Sequence, residues 1–348
     1  MDLALNDRPP ARPENAPSDD SGFIDAISSL KALCQSDLEA VDRQILDSLA
    51  SPVAMIPELA GHLIKAGGKR LRPLLTISTA KMLGYDGSDH VKLATAVELI
   101  HGATLLHDDV VDGSSMRRGE ATANILWGNK ESVLVGDFVF SRAFELMVST
   151  GKLPVLEVLS NSSRVIAEGE VLQLTTQKNL SASQETYLAV VQAKTAALFA
   201  AAARVGAIIS NVSTETESAL TGFGRNLGIA FQLIDDALDY AGREAALGKE
   251  VGDDFREGKM TLPVVMAVSK AVGDEVDFWK RTIGDGNQRP DDFDRAVSLI
   301  ERHGALEETV KMANHYADAA LKALAPMPKN EYRDALEALS TQSVARLS

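Results

Sequence analysis

The chain has 348 residues, 45% hydrophobic and 24% charged, enough apolar material for a substantial core and too much for a disordered chain. Its formal net charge is -14 and its pI is near 4.9, which excludes generic attraction to nucleic acid, so an anionic ligand must meet a local basic cluster. The single cysteine, Cys34, excludes an intramolecular disulfide and a thiolate metal site, and a reducing cytoplasm is the expected compartment.

Residues 1–24 read as a mobile tail. Pro9, Pro10, Pro13 and Pro17 lie there among Asp, Asn and Ser, a composition that cannot support a core. The tail contains no apolar run resembling a signal peptide, and no later stretch reaches the ~18 uninterrupted apolar residues of a membrane span. Residues 25–348 read as one all-α domain. Between Leu74 and Leu262 the only proline is Pro154, and apolar residues recur at three- and four-residue spacing in an Ala-, Leu-, Glu- and Gln-rich background. Breaks at Gly84 to Asp89, Gly113 to Ser115, Thr150 to Leu153 and Gly284 to Asp292 divide the helices. No alternating β-branched run suggests a strand.

The first chemically suggestive segment is Lys65 to Pro73, KAGGKRLRP. Its paired glycines let backbone approach a ligand closely, and Lys69, Arg70 and Arg72 are expected to converge as cations on a diphosphate. An apolar run, Ala103 to Leu106, then leads into Asp108, Asp109 and Asp112, a DDxxD pattern. On a helix these carboxylates are three and four residues apart and are expected to project from one face. Arg117 and Arg118 follow across a Gly-Ser-Ser turn that could fold them back over the acidic end. Lys194 and Thr195 come next. A second DDxxD, Asp235, Asp236 and Asp239, follows another apolar run, with Lys249 and Lys259 downstream.

One such triplet arises readily by chance in a chain with 49 acidic residues, whereas two are much rarer. Like charges packed this way need a cation, and hard carboxylate donors without sulfur suit Mg²⁺. A single lysine on an acidic protein is more often solvated than functional, so the weight lies on the pattern of two acidic helix ends, each with its cations. Asp253, Asp254 and Glu257 form a near match and read as a solvated loop.

In their order along the chain, GGKRLRP, ELIHGATLLHDDVVDGSSMRRG, GEVLQL, KTAALF, GIAFQLIDDALDY and GKEVGDDFREGKMTLP resemble the trans-prenyltransferases of the polyprenyl diphosphate synthase type. The resemblance implies an isoprenoid synthase-type helical bundle around a deep central cavity, usually a homodimer. It implies that Lys69, Arg72, His101 and Arg118 hold isopentenyl diphosphate. Asp108, Asp112 and Asp235 would ligate several Mg²⁺ ions, with Asp109, Asp236 and Asp239 completing the triplets. Arg117, Lys194, Thr195, Gln232, Lys249 and Lys259 would hold the allylic diphosphate.

Counting back from Asp108, the positions Thr104, Ile100 and Val97, with Ala103 beside them, are expected to line the path of the growing chain. Small residues at Ala103 and Thr104 suggest an open floor and a long product, octaprenyl or decaprenyl, for quinone side chains. Transient membrane contact for its release is expected, although no basic amphipathic anchor is visible. The rival readings are a shorter-chain synthase, a terpene cyclase, a metal-dependent phosphohydrolase suggested by His107-Asp108, and a di-iron bundle. The last needs Glu-x-x-His on two helices, and only Glu98 with His101 fits.

Overall fold

The structure, a computed structural model, describes residues 20–65, 67–241 and 252–347. The chain opens with α1 (Ser21–Leu33), α2 (Gln35–Ser48), α3 (Met55–Lys65) and α4 (Leu71–Met82). Helix α1 begins inside the stretch read from sequence as tail; residues 1–19 lie outside the described residues. Next comes α5 (Asp89–Val111), followed by a two-stranded ribbon, β1 (Met116–Arg117) and β2 (Glu120–Ala121), which the all-helical reading did not anticipate. The short α6 (Ala123–Leu126) precedes α7 (Asn129–Ser149) and α8 (Leu153–Thr176).

Helix α9 (Gln184–Val191) passes through a π-helical turn (Gln192–Ala196) into α10 (Ala197–Ile209), and α11 (Thr214–Leu238) carries the second acidic triplet. A smaller C-terminal group comprises α12 (Asp253–Arg256), α13 (Leu262–Lys270), α14 (Asp274–Trp279) and α15 (Asp292–Arg302). Finally, α16 (Ala305–Leu324) and α17 (Glu331–Val344) return to the bundle.

Local signals explain several boundaries. Ser183, Ser213 and Asn330 cap α9, α11 and α17, each side-chain oxygen accepting from the backbone N–H three residues on. Pro154 and Pro263 sit in the first turns of α8 and α13, where a missing N–H costs nothing.

Helix α5 is central, packed against α2, α4, α7 and α10. It is buried almost all round, with Leu93, Val97, Leu99, Ile100, Ala103 and Leu106 at or near zero exposure. Helix α11 lies between α10 and α16. These packings fix the C-terminal ends of α5 and α11, where the acidic triplets stand.

The continuous helix Gln184–Ile209 is apolar and long enough to cross a membrane by composition. It packs instead against α4, α5, α8 and α11 and bears Lys194 midway, as a core helix of the bundle does.

Candidate active site

The first triplet occupies the last turn of α5, with Asp112 as its C-terminal cap. Its three carboxylates fall within an arc of about 100° around the axis but do not share one environment, Asp109 being turned inward and buried while Asp108 and Asp112 retain surface. Asp109 is buried and accepts from Arg117, with Nε at 2.9 Å and Nη2 at 2.6 Å from Oδ1. Arg117 therefore reaches back to the acidic end as expected, but its partner is a protein carboxylate.

Asp108 faces Lys194, whose Nζ is 3.9 Å from Oδ2. The same ammonium donates to Glu170 at 2.8 Å. Burial raises the Asp108 carboxyl to about 7, with Lys194 opposing and Glu170 and Asp112 reinforcing the rise. Negative charge is thus in excess here. Glu170 Oε1 is buried and has no hydrogen-bond partner among the described residues. An oxygen-rich, anionic pocket with an orphaned carboxylate oxygen suits a hard divalent cation.

Lys194 owes its position to the π-helical turn, whose extra residue re-aims the side chains of a helix, and to Gly169 on α8. A Cβ at Gly169 would stand 2.7 Å from Ala193 Cβ, so only glycine lets α8 and the turn approach this closely.

The second triplet ends α11. Asp235 lines a cavity of about 170 Å³ together with Lys194, Thr195, Gln232, Asp236 and Lys259. Asp236 is buried, accepting from Tyr187 Oη at 2.5 Å and Gln232 Nε2 at 2.7 Å. Gln232 in turn accepts from Thr195 Oγ1 at 2.9 Å, so one hydrogen-bond chain links four cavity residues, Tyr187, Asp236, Gln232 and Thr195. Burial, with Asp254 beside it, pushes the Asp236 carboxyl up to about 8. Asp239 accepts from the backbone N–H groups of Gly252 and Asp254, each at 3.1 Å, and so caps α12.

The second acidic end lines this cavity, and the first reaches it through a lysine. Lys194 lines it and pairs with Asp108. Lys259, on its other side, is desolvated by burial, yet Asp254, Glu257 and Asp112 outweigh that cost and raise its pKa. Among the described residues no three acidic or imidazole groups gather into a ready-made metal cage. Mg²⁺ needs none, since it commonly binds one or two carboxylates and completes its shell with water and phosphate oxygens.

A second cationic group adjoins the first. Lys69 Nζ lies over the rings of Phe23 at 4.6 Å and Phe231 at 5.2 Å, and Arg72 stacks on Phe199 at 4.8 Å. Burial, then Arg346, draws Lys69 down to about 8, while nearby Asp235 acts in the opposite direction. Buried Arg72 Nε has no hydrogen-bond partner among the described residues. Burial holds His101 well below the ordinary imidazole range, and Arg72, Arg118, Arg117 and Arg70 push it further, so it is neutral near pH 7. Arg118 and Gly119 take positive φ values of 54° and 81° in the ribbon turn, a tight conformation unusual for arginine. The Arg118 guanidinium lies against Gly68, where a Cβ would stand 3.1 Å from Nη1. Arg70 does not join this group. Its own φ is 56°, and its guanidinium turns to Glu98 at 2.5 Å and Asp42 at 3.3 Å.

Three further expectations change. Asp254, read as solvated, is buried, lines the cavity and stands 3.6 Å from Lys259 Nζ. Val97, Ile100 and Ala103 have no exposed surface and belong to the main core, so no open floor runs beside them. Thr104 alone of the four retains surface, its hydroxyl donating to the His101 carbonyl at 2.8 Å. Lys249 lies outside the described residues. Sequence reasoning missed Glu98, Glu170 and Tyr187 as partners of the site. A glutamate on the inward side of an apolar helix was the signal for the first two; nothing marked Tyr187.

A helical bundle whose two acidic helix ends are linked through a cation at a shared cavity is of the isoprenoid synthase fold. The profile of the family described as "Polyprenyl synthetase" matches residues 53–300. Octaprenyl diphosphate synthase of Escherichia coli is 44% identical over 320 residues, spanning 92% of this chain and 99% of that protein. A polyprenyl synthase from Caulobacter crescentus, solved with calcium and isoprenyl diphosphate, superposes with a TM-score of 0.89 at 53% identity, covering 92% of this chain and 98% of that one. A decaprenyl diphosphate synthase from Rhodobacter capsulatus also gives 0.89, at 50% identity and with coverage of 92% and 99%. The chain belongs to the polyprenyl synthetase family and is a trans-prenyltransferase of the long-chain type.

Proposed function

We propose that this enzyme repeatedly condenses isopentenyl diphosphate with an allylic diphosphate, using Mg²⁺, and releases an all-trans octaprenyl or decaprenyl diphosphate. The observation that carries the reading is the shared cavity, where Lys194 and Lys259 stand between the Asp108 and Asp235 ends beside a second cationic group at Lys69. A reaction joining two diphosphate esters needs two anion sites in register.

Asp108, Asp112 and Asp235 would hold the metal. When bound there, Mg²⁺ would supply positive charge to offset the negative charge of the departing diphosphate. Lys194, Lys259 and the Thr195–Gln232 pair orient the allylic diphosphate, with Arg117 at the rim. Lys69, Arg72, Arg118 and neutral His101 orient isopentenyl diphosphate. The allylic carbon–oxygen bond breaks with its electrons on the diphosphate, and the isopentenyl double bond attacks the resulting cation. The proton then lost passes to the departing diphosphate, so no side-chain base is nominated. Preorganised charge of this kind, acting where water is excluded, is the main catalytic device available here.

Similarity to octaprenyl and decaprenyl synthases supports the long product, and quinone side chains are its natural use. We also propose a homodimer through the exposed apolar residues Ile125, Leu126, Val133 and Leu134 on α6 and α7; Leu134 is 68% exposed. A cytoplasmic enzyme with transient membrane contact during product release fits the lone, buried, unpaired Cys34 and the apolar product.

The test is to incubate purified protein with farnesyl diphosphate and isopentenyl diphosphate, with Mg²⁺ or with EDTA, and measure product length. Chain growth to eight or ten units, only with the metal, is expected. Products stopping at four units would favour a shorter-chain synthase, and phosphate release without growth would favour a phosphohydrolase.

A further inference from the structure

Helix α3 contributes none of the site residues placed above, yet its His62 makes a contact 59 residues away in sequence. His62 Nε2 lies 2.8 Å from the carbonyl oxygen of Ala121. A carbonyl oxygen only accepts, so Nε2 carries the hydrogen and donates it. The ring also meets the Trp127 indole edge-on, with centroids 5.4 Å apart at 64°. Two contacts therefore fix one imidazole.

The position of Ala121 gives this contact its importance. It ends β2 and pairs with Met116, and the next pair of the ribbon is Arg117 with Glu120. The base of the ribbon is fastened to the end of α5. Thr122 N–H donates to Ser115 O at 3.1 Å, Thr122 Oγ1 to Ser114 O at 2.7 Å, and Asn124 Nδ2 to Asp109 O at 3.2 Å. These bonds tie the ribbon to the first triplet. They do not relate it to the loop that carries Lys69. Helix α3 does, because it ends at Lys65, three residues beyond His62, and continues into that loop.

We infer that His62 is a positioning residue: its hydrogen bond to Ala121 sets the distance between the Arg118 side and the Lys69–Arg72 side of the isopentenyl diphosphate site. The inference rests on the proposed role of those cations. A diphosphate spanning two cationic elements binds well only when their separation is held, and a residue acting through the ribbon should change isopentenyl affinity more than allylic affinity, because Arg117 on the same ribbon is held independently by Asp109.

The test compares His62→Phe, which keeps an aromatic ring for Trp127 but has no donor, with His62→Gln, which restores an N–H at similar reach. KM for each substrate, kcat and melting temperature are measured on the full chain, with Arg118→Met alongside. His62→Phe should raise KM for isopentenyl diphosphate about three- to tenfold, as expected for one lost hydrogen bond. KM for the allylic substrate and kcat should stay within about twofold on the same scale, and His62→Gln should recover most of the loss. Equal rises in both KM values, an unchanged isopentenyl KM, or a rise that glutamine does not reverse would each overturn the inference. An unchanged KM in Arg118→Met would overturn the site assignment itself, and the inference with it. If phenylalanine is not accommodated, His62→Asn, whose amide is too short to reach Ala121, should show the same selective rise.

Discussion

Asp108→Asn offers the sharpest test of the electrostatics, because stability and activity should move in opposite directions. The wild-type carboxyl stands at about 7 in the fold against an ordinary 3.8, chiefly through burial. Its charged form is thus disfavoured by folding, and the cost grows as pH rises from near 4 to near 7. At about 1.4 kcal/mol per pH unit, the ceiling above pH 7 is about 4 kcal/mol. The charges of Lys194, at 3.9 Å, and of nearby Glu170 and Asp112 also act on Asp108, so about 1–2 kcal/mol is the working expectation. Asparagine keeps the shape and abolishes the charge.

In EDTA at pH 8, Asp108→Asn should therefore melt above wild type by roughly 1–4 °C, with the advantage gone at pH 4. Adding Mg²⁺ with inorganic diphosphate should reverse the order, because only wild type retains the ligand. Turnover should fall by at least about a hundredfold. Differential scanning calorimetry at the two pH values, with and without Mg²⁺ and diphosphate, decides the matter. A variant less stable than wild type at pH 8 in EDTA would show that the site is not short of positive charge and would refute the reasoning.

Asp109→Asn should behave differently. It weakens a buried, charge-assisted pair with partly exposed Arg117, costing about 1–3 kcal/mol and lowering the melting temperature at pH 8, as thermal unfolding would show. Ala103→Phe must overpack a site with no exposed surface, whereas Thr104→Phe has room; mass spectrometry should find shorter products from the latter with its fold intact. Because His101 is held neutral, KM for isopentenyl diphosphate should show no imidazole titration between pH 6 and 8, and a tenfold change across that window would contradict its placement. Tyr187→Phe should lower kcat several-fold by loosening the Asp236, Gln232 and Thr195 chain, with the His62 variants' selective effect on isopentenyl KM absent.

The place of the candidate site was legible because rare groupings mark it: two DDxxD patterns and the GGKRLRP cluster stand out by residue type alone, and the structure sets Asp235, Asp236, Lys194 and Lys259 on one cavity with Asp108 beside Lys194. Which carboxylate does what was not legible from residue type. Asp108 and Asp109 are identical side chains, separated only by rotation about an axis whose orientation depends on tertiary packing. The chain-length positions failed for a related reason. Helix α5 is apolar on nearly every side, so periodicity cannot distinguish a cavity wall from packed core, and Val97, Ile100 and Ala103 proved to be core. The ribbon escaped notice because strands of two residues carry no alternation to detect. The π-helical turn left no compositional trace, although it aims Lys194.

The corrected geometry gives the repeated acidic pattern a second purpose. In each triplet the first aspartate faces the cavity region, Asp108 beside Lys194 and Asp235 on the lining. The second is buried and holds neighbouring groups, Asp109 fixing Arg117 on the ribbon and Asp236 fixing the Gln232 and Thr195 pair. The third differs: Asp112 acts on Lys259 through space, whereas Asp239 caps α12, which places Asp254 beside that same lysine. The proposed metal ligands and phosphate-binding cations are thus fastened to one another through the motif. Their relative placement can then survive the large charge changes of each condensation, when a diphosphate leaves and another substrate enters. A helix end bearing one ligating carboxylate could bind metal, but it could not also hold the cations that must meet the same leaving group.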